Sequence, residues 1–390
     1  MPHKTRAGLF RRFLSKFSNE IQGTLVKTNV NGGESRRAFL KGVAMSGAVS
    51  VISAASAKGQ NNGPGGQSTP IVPNGPTGTG GVATFQAPQR TMGKTGLQVS
   101  ILGVGGFHLG AAAGQPEVND MVAKALDHGI NFFDNAWEYY KGASEERLGT
   151  ALKGKRDKAI VMTKVCTHGR KKDVAMQMLE ESLTRLQTDH LDVWQVHEVV
   201  YYNDPEKCYA PDGVLEALAA AKQQGKVRFV GFTGHKNPSI HLAMLSGAFP
   251  FDTVQMPLNP FDYSYRSFQR EVLPVAVQRG MAVFGMKSMG GSGEMISQGA
   301  LTPTEALTFA MSLPGVSTTI SGMDSMRVLD QNLAILRNFK PLSEEQISAL
   351  RTYAKQFDDG RYELFKSTVK YDGDLGRQQH DFPAAAELPA

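Results

Sequence analysis

Asn131-Phe132-Phe133-Asp134-Asn135-Ala136-Trp137-Glu138-Tyr139-Tyr140 is the stretch that decides how this chain is read. It opens as a buried strand, with Ile130, Phe132 and Phe133 apolar. It then places a carboxylate, Asp134, where the strand should end, and a phenol, Tyr139, in the loop that follows. A closed barrel of alternating strands and helices collects such strand-end groups on one catalytic face.

Outward from this stretch the same rhythm repeats. Strands are expected at Val99–Val104, Asn131–Asn135, Ala159–Val165, Leu191–Val196, Val227–Phe232, Thr253–Pro257, Ala282–Met286 and Thr318–Ser321. Each is followed by a helical pattern: Glu117–His128, Ser144–Leu152, Asp173–Leu186, Gly213–Gln224, Pro238–Leu245, Ser267–Arg279, Thr304–Ser312 and Met326–Leu336. In Asp173–Leu186 the apolar residues Val174, Met178, Leu179, Leu183 and Leu186 recur at helical spacing. Gly129, Gly225, Gly247 and Gly280 stand where helices should stop. Strands alternating with helices imply a parallel sheet, and eight such units imply closure into a (β/α)8 TIM barrel of the α/β class. An open, doubly wound sheet needs fewer regular units. Ser343–Phe357 is expected as an extra C-terminal helix laid across the barrel.

The ends of the chain read differently. Residues 1–57 form a basic segment that contains Ser35-Arg36-Arg37-Ala38-Phe39-Leu40-Lys41, the pattern of a twin-arginine export signal. A stretch of small and apolar residues, Val43–Ala55, and an Ala55-Ser56-Ala57 cleavage site follow. The stretch is too short and too rich in Gly, Ala and Ser for a stable membrane span. The expected partner of this segment is the twin-arginine translocation machinery, and the expected location is the periplasm or another extracytoplasmic space. Residues 58–88 are rich in Gly, Pro, Asn, Thr and Ser and read as a flexible linker. The barrel is assigned to 89–365 and a partly loose tail to 366–390.

The net charge of +6 over 390 residues invites a nucleic-acid reading until it is located. Arg6, Arg11, Arg12, Lys16, Lys27, Arg36, Arg37 and Lys41 all fall in the export segment, and the remainder is near neutral. No nucleic-acid partner is therefore expected. The two cysteines, Cys166 and Cys208, form no C-x-x-C pair, so a disulfide framework or a cysteine-based zinc or iron–sulfur site is not expected, and no metal is assigned. A single bridge between them in an oxidising compartment stays open. Gly103-x-Gly105-x-x-His108 lacks the third glycine of a dinucleotide fingerprint, and Gly285-x-x-x-x-Gly290-Gly291-Ser292 lacks the lysine of a P-loop.

The chemistry-bearing residues sit at adjacent strand ends. The second barrel strand delivers Asp134 and its loop delivers Tyr139; the third ends in Lys164 and the fourth in His197. Alone, a strand-end lysine is a solvated rim residue and a lone histidine a hydrogen-bonded one. Together they form an acid–base cluster. Asp134 is expected to pair with Lys164, Lys164 to lower the Tyr139 pKa, and His197 to meet a substrate carbonyl. A phenol placed in this way donates a proton to a carbonyl oxygen as hydride arrives at carbon.

The sequence resembles the aldo-keto reductases over roughly residues 90–340. Met92 to Gly106 is similar to that family's first hairpin and strand, Phe133-Asp134-Asn135-Ala136 with Tyr139 to its Asp…Tyr motif, and Gly142-Ala143-Ser144-Glu145-Glu146-Arg147-Leu148-Gly149 to the segment after it. Thr163-Lys164 and Gln195-Val196-His197 match its lysine and histidine positions. The resemblance implies a catalytic tetrad of Asp134, Tyr139, Lys164 and His197, with Tyr139 as general acid and hydride from a nicotinamide. It implies cofactor contacts at Gly105, Thr233, Gly234, His235, Gln255, Met286 and Lys287, and at Gly322, Ser325, Arg327, Gln331 and Asn332 in the adenosine-phosphate segment. Thr233-Gly234-His235 stands where Ser-Asn is usual, so His235 either replaces the asparagine or caps the next helix. NADP is the cofactor expected, with NAD left open, because Asp324 opposes a 2′-phosphate that Ser325 and Arg327 favour. Phe107, His108, Trp137 and Tyr140 are expected pocket walls; Tyr140 occupies the family's usual glycine.

The expectation is an exported NAD(P)-dependent oxidoreductase that reduces an aldehyde, ketone or sugar carbonyl, with a small-molecule carbonyl as its substrate partner. Two rivals are a non-catalytic redox sensor that binds cofactor, and a lyase or hydrolase that uses Asp134 and Glu138 as paired carboxylates.

Overall fold

The computed structural model describes residues 85–368 and 374–380. The expected export signal and the linker up to residue 84 lie outside them.

Among the described residues a hairpin comes first: β1 (Gln89–Thr91) pairs antiparallel with β2 (Gln98–Ser100). Eight parallel strands follow: β3 (Leu102–Gly105), β4 (Phe132–Asp134), β5 (Ile160–Val165), β6 (Leu191–Val196), β7 (Val227–Thr233), β8 (Thr253–Pro257), β9 (Ala282–Met286) and β10 (Val316–Gly322). They form a closed barrel in chain order, β10 pairing with both β9 and β3. The crossover helices are α1 (Gln115–Asp127), α2 (Ala143–Ala151), α3 (Lys172–Leu186), α4 (Val214–Gln223), α5 (Pro238–Ser246), α6 (Leu273–Gln278), α7 (Pro303–Ser312) and α8 (Met326–Arg337). The extra C-terminal helix is α9 (Glu344–Ala354). The (β/α)8 TIM barrel expected from the repeat is the fold observed.

Strands buried on both faces are near-continuous apolar runs, and β5 and β6 are buried at every position. Inside the barrel, Phe132, Ile160, Met162, Val193, Ala282, Phe284 and Ile320 pack with Met92 and Val99 of the hairpin. The hairpin thus plugs the end at which the strands begin. Gly93 permits this: at φ +51° a Cβ there would stand 2.4 Å from the Ala282 nitrogen.

Local departures from the expected elements have identifiable causes. Val99–Val104 is two strands, because the Ser100 hydroxyl donates to the Leu102 carbonyl and the chain turns at Ile101 from hairpin to barrel. Ser267–Arg279 divides into Phe268–Glu271 and α6, with Pro274 in the first turn of α6. The ordered domain already includes Ala87, whose N–H bonds the His128 carbonyl, so the linker reading ran a few residues too far. At the other end Lys366, assigned to a loose tail, is fully buried against Asp262 and Glu363.

Candidate active site

The strand order places the ends of β4, β5 and β6 side by side. Asp134 ends β4, Lys164 lies one residue from the end of β5, and His197 follows β6 directly. Asp134 and Lys164 are buried and form an ion pair. The Lys164 ammonium also donates to the Asn135 carbonyl at 2.6 Å and reaches the Tyr139 hydroxyl at 3.5 Å. Its three N–H groups therefore have three oxygen partners. Tyr139 accepts from the ammonium, so its own proton is directed elsewhere.

The expected lowering of the Tyr139 pKa is not what the surroundings produce. Burial, with the carboxylates of Asp134, Glu138 and Glu198, pushes the phenol well above its ordinary value. Lys164 does not offset them, because its charge is already paired with Asp134. The phenol is held protonated, which is the form a proton donor needs.

Two partners of the tetrad went unread. Gln255, buried in the middle of β8, donates from Nε2 to Asp134 Oδ2 at 3.0 Å. Glu138 pairs with Nδ1 of His197. Asp134 and Glu138 are thus each engaged by a different base, which removes the facing carboxylates that the lyase or hydrolase rival requires. Glu138 lay in plain view beside Tyr139, but nothing in the sequence linked it to the residue that follows β6. Around them, the Gly142–Gly149 motif serves packing. Glu145 is buried and accepts from Thr163, next to Lys164, at 2.6 Å, and Gly149 lets α2 approach the backbone of α3.

The expected walls separate into two groups. Phe107, half exposed, packs edge-on against Tyr139 with centroids 5.4 Å apart and tilts over Tyr140 at 5.3 Å. Trp137 instead turns to α3. Its indole N–H donates to Glu181 at 2.8 Å and its ring lies under Arg185. Its polar end is satisfied on that helix rather than at the aromatic wall. His108 packs on Gly322, where any Cβ would clash with the imidazole.

A model of the Aldo/keto reductase family matches residues 101–298, just over half of the chain. This chain belongs to the aldo/keto reductase family. It is 28% identical over 294 residues to L-galactose dehydrogenase of Arabidopsis thaliana, a match covering 66% of this chain and 90% of that protein. The holo aldo-keto reductase AKR11C1 from Bacillus halodurans shares the fold with a TM-score of 0.58, at 23% identity over 69% of this chain and 97% of that one. An aldo/keto reductase from Klebsiella pneumoniae in complex with NADP and acetate superposes with a TM-score of 0.56, at 23% identity over 68% and 95%.

In this aldo/keto reductase the other strand-end residues divide between openings and packing. Thr233 is buried at the end of β7, with Met286 of β9 within 3.9 Å. Gly234 passes against the Val199 carbonyl, where a Cβ would lie at 2.1 Å. His235 does not cap α5; Asn237 does, accepting from the Ser239 N–H. His235 Nδ1 meets the Phe365 carbonyl at 3.3 Å instead, and burial drops its pKa to about 3. Lys287, at φ +52°, lies under the Phe365 ring. Gly105 meets the Ser321 carbonyl closely, and Asn332 ties α8 to Ser321 at 3.0 Å. Ser325 leads into α8 with its hydroxyl on Asp324, while Arg327 and Gln331 are exposed. Phe365 was the unforeseen member here, since no strand pattern announces a residue that arrives from the C-terminal segment. Both cysteines are free thiols.

Proposed function

We propose that this aldo/keto reductase reduces an aldehyde, ketone or sugar carbonyl, and that Tyr139 delivers the proton. The observation that carries this reading is the Asp134–Lys164–Tyr139 chain, in which the ammonium donates to the phenol oxygen and leaves the phenol proton free. His197, whose Nδ1 lies against Glu138, is the second group for the carbonyl oxygen. Burial of the phenol keeps it protonated until a basic oxygen develops beside it.

The residues fit a nicotinamide dinucleotide. Gln255 spends its N–H on Asp134, and its carbonyl oxygen Oε1 is buried with no hydrogen-bond partner. That oxygen is an acceptor suited to a carboxamide N–H. Thr233 and His235 lie at the neighbouring strand end, and Lys287, Ser325 and Arg327 offer donors and charge for the phosphates. These donors favour NADP, the cofactor named for the Klebsiella pneumoniae protein. When bound, the cofactor supplies hydride to the carbonyl carbon. We place the enzyme outside the cytoplasm on the Ser35–Lys41 motif, which makes cofactor loading before export part of the reading.

The test is Tyr139→Phe. Turnover with carbonyl substrates should fall by at least ~100-fold, the usual contribution of a positioned proton donor, while nucleotide still binds. Unchanged turnover would remove Tyr139 from the chemistry and leave the sensor reading. Denaturing the purified chain and assaying released nucleotide checks the loading: recovery of NADP(H) supports it, and an empty protein that binds neither dinucleotide sinks the reductase reading.

A further inference from the structure

The loops after β5 and β6 meet in a second cluster that the reduction chemistry does not use. Cys166 Sγ is 3.4 Å from His168 Nε2 and 3.6 Å from Glu198 Oε2, and those two atoms are 3.3 Å apart. A thiol, an imidazole and a carboxylate thus form a nearly equilateral triangle. Around a tetrahedral zinc ion, bonds of roughly 2.0–2.3 Å to N, O and S separate the ligand atoms by roughly 3.3–3.7 Å. All three edges fall in that range. Without an ion the same three atoms are joined by thiol hydrogen bonds to the imidazole and the carboxylate and by the histidine–carboxylate pair.

A second triad shares the thiol. Ligand atoms of Glu138, Cys166 and His197 lie within 4.8 Å of one another. Glu138 pairs with His197 through Oε1, while its Oε2 is buried with no partner. The backbone is arranged to hold the cluster. Glu198 sits at φ +52°, a conformation costly for a glutamate, and Arg170 donates to the carbonyls of His197 and Glu198 at 2.8 Å each. Gly376 comes so close that a Cβ there would stand 3.0 Å from His168 Nε2.

We propose that Cys166, His168 and Glu198 bind a divalent transition-metal ion of the zinc class, with the fourth position left to solvent. A thiolate beside imidazole and carboxylate selects zinc-like ions over magnesium or calcium. The thiol releases its proton to solvent as the metal–sulfur bond forms. This inference rests on ligand chemistry and spacing alone and stands or falls separately from the reductase reading.

The experiment uses the full chain, stripped with a chelator and titrated with Co2+ and then Zn2+. One equivalent of Co2+ should bind with a thiolate-to-cobalt charge-transfer band, and Zn2+ should displace it. Cys166→Ser should abolish the band. His168→Gln and Glu198→Gln should weaken binding by more than the ~10–100-fold typical of losing an outer-shell partner. Folded wild-type protein that gives no cobalt band, or a band that survives Cys166→Ser, overturns the proposal. If the variants do not fold, the melting temperature of the stripped wild-type protein decides: a rise with Zn2+ supports the site, and no rise refutes it.

Discussion

Arg170 and Asp204 form a fully buried ion pair, with Nε and Nη2 both on Oδ1 at 2.7 and 2.6 Å. Asp204 Oδ2 accepts from the N–H groups of Val200 and Tyr201, and Arg170 holds the carbonyls of His197 and Glu198. One pair therefore fixes the loop that carries the candidate catalytic histidine. Removing one partner of such a pair strands a charge and costs about 3–5 kcal/mol. Arg170→Met should lower the unfolding free energy measured by urea titration by that amount. Adding Asp204→Asn should recover part of it, because the amide oxygen still accepts from the backbone and no lone charge remains. If Arg170→Met costs under ~1 kcal/mol, the pair is not what holds the loop.

Tyr140 occupies a left-handed position, φ +53° and ψ +38°, a region that favours glycine. A side chain pays roughly 1–2 kcal/mol in that region. What Tyr140 returns is its contact with Phe107 and its packing against Gly110. Tyr140→Gly should leave stability nearly unchanged, since relief of strain offsets the roughly 0.5–1.5 kcal/mol of an aromatic pair. The KM for bulky carbonyl substrates should rise. An unchanged KM would take Tyr140 out of the substrate wall.

Lys366 is buried against Asp262 at 2.5 Å, Glu363 at 2.9 Å and the Tyr265 carbonyl at 3.0 Å. Glu363 in turn accepts from Asn259, which follows β8. The C-terminal segment is thereby pinned beside the strand ends, and it carries Phe365 over His235 and Lys287. Lys366→Met should leave two buried carboxylates without their cation and destabilise the protein by about 3–5 kcal/mol. It should also loosen nucleotide binding, because the Phe365 cover is released. Proteolysis of the segment after residue 362 reports that release; equal cleavage of both proteins would count against it.

The strand ends were legible because a single polar group closing an apolar run marks the face of a barrel, as with Asp134, Lys164 and His197. The barrel itself followed from eight repeats, and glycine stops marked the helices. What stayed hidden involves long-range pairing of charged groups. Lys and Arg are almost never fully buried unless paired, and nothing in the sequence joins Arg170 or Lys366 to carboxylates that stand 34 and 104 positions away. The Tyr139 pKa was misread because burial, the main cause of its rise, exists only in the folded chain, where Asp134, Glu138 and Glu198 also face the phenol. Cysteine spacing likewise gave no sign of Cys166 beside Glu198, because the grouping joins neighbouring strands rather than neighbouring residues.

His241 on α5 is fully buried between Phe232 and Phe268, and its Nε2 lies 3.4 Å from the Gln255 carbonyl. Burial lowers its pKa to about 4, against a smaller opposing pull from that carbonyl. Between its ordinary value near 6.5 and about 4, the unfolded chain takes up a proton at this site that the folded chain refuses. Its contribution to stability is therefore intact above 6.5 and lost as pH falls through that window. At about 1.4 kcal/mol per pKa unit the loss reaches roughly 3 kcal/mol. His235 and His380, lowered to about 3 and about 4 mainly by burial, act in the same direction. Urea midpoints measured across the window should fall for the wild-type protein and fall less steeply for His241→Leu, which keeps an apolar side chain between the two rings. Equal slopes would show that His241 is already protonated or solvated in the native state.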